Sequence, residues 1–218
     1  MTKRYELIVF DWDGTLMDSA GTIAACVQAA ARDLGLPVPS DERARHIIGL
    51  GLIDAMRHAM PDLPEERYRD VAARYRHHYL TRDGELTLFD GVEALIGELG
   101  AAGHMLAVAT GKTRVGLNRA FEISGLGDRF HASRCADECH SKPHPQMLEE
   151  LMTEFGVGPE VTVMIGDTTH DLQMAMNAGV AGVGVAYGAH PRPELDALSP
   201  LFCASDVAEL AAWLRENA

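Results

Sequence analysis

The chain has 218 residues, 47% hydrophobic and 23% charged, which excludes a disordered chain and leaves room for one substantial domain or one domain carrying an insert. A formal net charge of -13, with no run of Lys and Arg to override it, excludes nucleic acid and anionic membrane surfaces as expected partners. Four scattered cysteines (Cys26, Cys135, Cys139 and Cys203), no signal-like apolar stretch at the N-terminus and no apolar run of about 18 residues lead to the expectation of a cytoplasmic chain.

Residues 5–10 (YELIVF) form a short apolar run that ends on acidic residues, the pattern of a buried strand with polar groups at its C-terminal end. The stretch 19–84 follows, with helical periodicity, little strand character and punctuation by Pro37, Pro39, Pro61 and Pro64. It reads as a helical insert covering a sheet. Beyond it, strand patterns at 105–109, 161–165 and 182–186 alternate with helical patterns at 92–101, 114–124, 145–155 and 172–178. Strands alternating with helices require crossover connections, so the expected fold is an α/β, Rossmann-like parallel sheet with helices on both faces plus an inserted all-helical cap. The expected division assigns 1–18 and 85–218 to the catalytic core and 19–84 to the cap.

Open α/β sheets bind ligands beyond the carboxyl ends of their strands. Four polar clusters fall there: Asp11-Trp12-Asp13-Gly14-Thr15, Thr110-Gly111-Lys112, Ser141-Lys142-Pro143, and Gly166-Asp167-Thr168-Thr169-His170-Asp171. Asp11 and Asp13 would repel one another on either side of a turn that Gly14 permits. A divalent cation relieves that repulsion, and Mg²⁺ prefers a few carboxylate or carbonyl oxygens, waters and a phosphate oxygen, with Asp167 as the natural third protein contribution. An ionised Asp11 can then attack phosphorus, splitting hydrolysis into two steps, while Asp13 protonates the leaving oxygen and later deprotonates water. Thr110 offers a hydroxyl and Gly111 a backbone N–H to the phosphoryl oxygens at a strand-to-helix turn, and Lys142 supplies a positive charge.

The order DxDGT, T, K, GDxxxD resembles the haloacid dehalogenase superfamily, and DWDGTLMDS followed by a helical insert resembles its phosphoglycolate phosphatase-like branch. The resemblance spans nearly the whole chain. It implies a phosphatase in which Asp11 is the nucleophile, Asp13 the acid/base, Thr110 and Lys142 phosphate ligands, and Asp11, Asp13 (through its carbonyl) and Asp167 the ligands of Mg²⁺. Asp171 matches the second acidic position of the last motif, where it would orient a metal-bound water or Lys142, or cap the following helix. The insert resembles the family's cap, with residues 49–52 as a substrate-facing turn. The implied partner is a small phosphorylated metabolite, with 2-phosphoglycolate offered by the resemblance alone.

Asp18 and Ser19 read as caps of the first insert helix, Trp12 as packing, and the histidines as surface or packing residues, His170 drawing interest only as a neighbour of Asp167. Cys135, Cys139 and His140 lack a second pair at zinc spacing. Among rivals, a phosphomutase of the β-phosphoglucomutase type would keep phosphate on its substrate, and a dehalogenase needs neither metal nor an acid/base at Asp13. A phosphonate hydrolase would need a cap lysine, and 19–84 contains none. A phospho-receiver module shares the Asp, Thr and Lys but runs only about 120 residues without a cap.

Overall fold

The computed structural model describes residues 4–218; residues 1–3, which open the expected core segment, lie outside the described residues. Strand β1 (Leu7–Phe10) is followed by four helices, α1 (Ala20–Asp33), α2 (Asp41–His46), α3 (Leu52–Ala59) and α4 (Tyr68–Leu80). The chain then alternates: α5 (Val92–Ala101), β2 (Met105–Thr110), α6 (Arg114–Ser124), β3 (Ala132–Cys135), α7 (Gln146–Phe155), β4 (Thr162–Gly166), α8 (Thr169–Asn177), β5 (Ala181–Val185), α9 (Arg192–Asp196), β6 (Phe202–Ala204) and α10 (Val207–Asn217).

The six strands form one parallel sheet in the order β3-β2-β1-β4-β5-β6. β1 is central, pairing Phe10 with Val108 on one side and Ile165 on the other. Its residues alternate between two cores, which explains a continuous apolar run where a half-exposed strand would alternate with polar residues. Ile8 and Phe10 pack with Leu95, Ile96, Leu117 and Leu210 on one face, and Leu7 and Val9 with Met147, Leu151 and Met174 on the other. The strand order reverses between β1 and β4, so the cleft beyond their carboxyl ends is the place where this sheet opens for a ligand.

Helices α1–α4 gather around an apolar cluster of their own, including Val27, Ile47, Met56, Tyr68 and Val71. The two connections between these helices and the sheet run side by side: Asp18 N–H donates to the Thr87 carbonyl and Phe89 N–H to the Leu16 carbonyl, both at 3.0 Å. The insert sits at the carboxyl ends of the strands, where it meets the segments that follow β2, β3 and β4.

The sheet is wider than the periodicity suggests. β3 (ASRC) mixes polar and apolar residues and β6 (FCA) is only three residues long, so neither stands out by periodicity, and pairing with β2 and β5 makes them edge strands. α8 starts at Thr169, ahead of the expected 172, because Thr168 and Asp171 form a reciprocal capping box at its first turn. Among the described residues no helix is long and apolar enough to cross a membrane.

Candidate active site

After Phe10 the Asp11 N–H still donates to the Ile165 carbonyl at 2.9 Å, so Asp11 is held at the junction of β1 and β4. The chain then folds tightly, Leu16 and Met17 N–H both donating to the Trp12 carbonyl at 3.0 Å. Gly14 turns with φ +80°, and a Cβ there would overlap the Asp167 carboxylate. Glycine is thus required twice over, for the left-handed backbone and for the close approach of the two loops.

Four charged side chains meet in the buried part of this junction. Lys142 Nζ donates to Asp11 Oδ1 at 2.7 Å and to Asp171 Oδ1 at 2.6 Å, and all three side chains are fully buried. The remaining Asp171 oxygen accepts from the Thr168 N–H at 3.1 Å and hydroxyl at 2.7 Å. Asp171 thus completes the capping box of α8 with one oxygen and bonds Lys142 with the other. Asp167 Oδ1 accepts from the Thr15 hydroxyl at 2.9 Å and Oδ2 from the Ala189 N–H at 2.7 Å. One carboxylate oxygen stands out: Asp11 Oδ2 is buried and has no hydrogen-bond partner among the described residues.

The electrostatics follow from burial. Loss of solvent pushes the Asp11 carboxyl up to about 7; Lys142 opposes this, and Asp171 and Asp13 add to it. Burial, then the Asp11 and Asp171 charges, raise Asp167 well above the ordinary carboxylate range. For Lys142 burial disfavours the ammonium, but Asp11 and then Asp171 outweigh it and hold the group protonated. The carboxylates of Asp11, Asp167 and Asp171 each place an oxygen within 4.8 Å of the others. One ammonium bonds two of these three carboxylates and leaves Asp167 without a cation, an imbalance that a divalent ion would match. With Asp11 Oδ2 unpartnered beside Asp167, this donor set fits such an ion.

Asp13 points elsewhere. Its Oδ1 accepts from the Ser19 hydroxyl at 2.7 Å, and its Oδ2 lies 3.0 Å from Lys112 Nζ. Lys112 also donates to the Tyr79 hydroxyl of α4 at 2.9 Å, and Asp13 and Tyr79 outweigh burial to keep it charged. Ser19 was expected to cap α1; it occupies that position without a side-chain cap bond, because its hydroxyl is committed to Asp13. Asp18 is exposed and makes no cap either. Lys112 and Tyr79 are contacts that sequence reasoning missed. Lys112 stands inside a recognised cluster and is one of three lysines in the chain, a signal that could have singled it out, whereas nothing in the sequence marks Tyr79.

Thr110 is buried at the end of β2, its hydroxyl accepting from the Lys112 N–H at 3.2 Å. At Gly111 a Cβ would lie 2.6 Å from the Gly49 and Leu50 carbonyls, so sheet and insert meet here backbone to backbone. Further contacts close the same seam. Gly51 N–H donates to Ser141 Oγ at 2.8 Å, and His170 and His190 place Nε2 at 2.8 and 3.1 Å from the His46 carbonyl. His170 is thereby a strut between insert and core. His46, His190 and Glu194 also cluster, but His190 Nδ1 accepts from the Thr169 N–H at 3.0 Å while its Nε2 bonds the His46 carbonyl, leaving no lone pair for an ion. Trp12 packs edge-on to Phe121 and Phe130, as expected of a packing residue.

Between insert and sheet ends lies a cavity of about 500 Å³, reached by Asp13, Gly111 and Lys112 from the core and by Gly49, Leu50 and Leu52 from the expected substrate-facing turn.

A parallel sheet in this strand order, with carboxylates ending β1 and β4, a buried lysine between them and a helical insert above, defines a hydrolase class. Residues 8–185 match the model of the haloacid dehalogenase-like hydrolases, and the chain belongs to that family. The chain is 37% identical over 200 residues to the probable phosphatase IndB of Dickeya dadantii (89% of this chain, 86% of the relative). It is 33% identical over 216 residues to a 5'-nucleotidase of Pseudomonas aeruginosa (98% and 97%). A crystal structure described as a predicted phosphoglycolate phosphatase from Haemophilus somnus superposes with a TM-score of 0.86 at 25% identity, covering 97% of this chain and 99% of that one. Within the family the chain stands among the phosphoric monoester hydrolases of the phosphoglycolate phosphatase-like branch.

Proposed function

We propose that this enzyme is a Mg²⁺-dependent phosphatase that hydrolyses a small-molecule phosphate monoester through an aspartyl-phosphate on Asp11. The observation that carries the reading is the Asp11 carboxylate, with one oxygen tied to Lys142 and the other buried, unpartnered and free to attack. Lys142 and the buried position hold that oxygen still, so little reorganisation is needed at the moment of reaction. The Asp11 oxygen forms its bond to phosphorus as the ester P–O bond breaks, and Asp13, on the cavity side, supplies the proton to the departing alcohol. Asp13 then takes a proton from the water that attacks phosphorus and frees Asp11. Thr110 and the Gly111 N–H are assigned to the transferring phosphoryl oxygens.

Asp11, the Asp13 carbonyl and Asp167 are the proposed metal ligands. Bound Mg²⁺ would neutralise the carboxylate excess and polarise the phosphoryl group. Asp171 acts through Lys142, and we assign residues 19–84 as the cap over a core of 1–18 and 85–218. A small phosphorylated metabolite is the proposed partner; the relatives' names supply 5'-nucleotides and 2-phosphoglycolate as first compounds to assay.

Phosphate release from a panel of esters should require Mg²⁺ and stop in EDTA. Asp11→Asn should lose turnover by about a thousandfold or more while remaining folded. Ordinary turnover by that variant would refute the nucleophile, and phosphate exchange within a sugar phosphate without release would identify a mutase.

A further inference from the structure

The cavity beyond Asp13 carries information about the alcohol that leaves. Its volume, about 500 Å³, lies within the range of roughly 300–1,000 Å³ that small-molecule sites occupy. Its insert wall is built from Ile23, Val27, Ile47, Leu52, Ala55 and Met56. The rim is apolar too: Leu80 and Val115, 55% and 78% exposed, both line it, and exposed large apolar side chains gathered at one opening mark a binding surface.

The cations that face this space from inside are already engaged. Lys112 is held by Asp13 and Tyr79, and Arg119 forks onto Asp83, with its Nη2 3.0 Å from Oδ1. Arg76 lies exposed at the mouth. A carboxylate a bond or two from the ester oxygen would therefore find Lys112 and Arg119 already paired and, among the lining cations, only the solvent-exposed Arg76 left to match it, which is costly beside so much apolar surface. Tyr75 lines the cavity with its ring stacked at 27° on Tyr79, 5.7 Å between centroids, and its hydroxyl has no hydrogen-bond partner among the described residues.

We propose that the alcohol released by this enzyme is bulky and largely apolar, seated in the cavity against α1, α3 and α4, with the Tyr75 hydroxyl as a polar anchor. The inference rests on the phosphatase reading and narrows it: a compact anionic alcohol such as glycolate leaves the cavity unfilled and its charge faced only by the solvated Arg76, whereas an aromatic or branched apolar group buries its surface against these side chains.

The test is phosphate release, with Mg²⁺ supplied, from ethyl, benzyl and 1-naphthylmethyl phosphate and from 2-phosphoglycolate. The first three are esters of primary alcohols, so the bond broken changes little along the series. The expected result is a rise in kcat/KM of about tenfold or more from ethyl to naphthylmethyl phosphate, with 2-phosphoglycolate below benzyl phosphate. A flat series, or 2-phosphoglycolate as the best substrate, would overturn the inference and leave the phosphatase reading standing. Release from none of the four would overturn both.

Two variants add a second readout. Ala55→Phe fills the insert side of the cavity, and Val115→Glu charges the rim at an exposed position where folding is not at stake. Each should lower the ratio of kcat/KM for naphthylmethyl over ethyl phosphate by about tenfold. An unchanged ratio in both would reject the cavity as the seat of the alcohol.

Discussion

Lys142 bonds two buried carboxylates at once, and that geometry gives it a structural role beside the catalytic one proposed for it. Taking away one member of a buried ion pair is far more costly than the pair itself is stabilising, because the partners keep their charge without compensation. Lys142→Met, which preserves the length of the side chain, is expected to lower unfolding free energy by about 3–5 kcal/mol in urea titrations as well as to remove activity. A loss under about 1 kcal/mol would mean that Asp11 and Asp171 are not charged together in the folded enzyme. Asp13 is the contrasting case: Ser19 and Lys112 hold its two oxygens, so this carboxylate lines the cavity with its orientation already set.

At the scale of elements, the seam between the insert and the sheet ends decides whether the site is closed. Gly111→Ala would drive a methyl group into the Gly49 and Leu50 carbonyls, and neither backbone can yield without moving the turn between α2 and α3. The expected outcome is a fall in kcat/KM of about tenfold or more with a stability loss of only ~1–3 kcal/mol; a variant with native kinetics would show that the turn gives way freely. On the other side of the seam, burial and then His170 depress His190 from its ordinary 6.5 to about 4. The folded chain therefore keeps this imidazole neutral while the unfolded chain protonates it, so its contribution to stability is whole above about pH 6.5 and is lost as pH falls toward about 4. At roughly 1.4 kcal/mol per pKa unit this amounts to a few kcal/mol at most. His190→Gln should lose less stability than the native protein between about pH 7.5 and about pH 5 in urea titrations, and equal losses would assign the acid sensitivity to other groups.

For the whole molecule, three buried carboxylates around one lysine strain the folded state in a way that a divalent cation relieves. Mg²⁺ should thus raise the melting temperature, by linkage worth about 2.7 kcal/mol at a hundredfold excess over Kd. Asp167→Asn should abolish the rise, and an increase that survives in this variant would place the ion elsewhere.

Much of this protein was legible in one dimension. β1 reads as buried because both its faces meet apolar helices, and the four motifs announce themselves because they use acidic, hydroxyl, lysine and glycine residues at strand ends, where a packed core has no use for them. Ser19 shows the limit. By position it is a helix cap, yet its hydroxyl serves Asp13, a choice settled only when the loop after β1 folds back. The edge strands β3 and β6, the Tyr79–Lys112–Asp13 chain and the apolar cavity share that origin, for each joins residues far apart in sequence. Local pattern determined the central strands, most of the helices and the candidate reacting groups, because backbone periodicity and side-chain chemistry are carried by neighbouring residues. Tertiary structure decided which side chains hold these groups and what shape of cavity they face, because both depend on how the insert packs over the ends of the sheet.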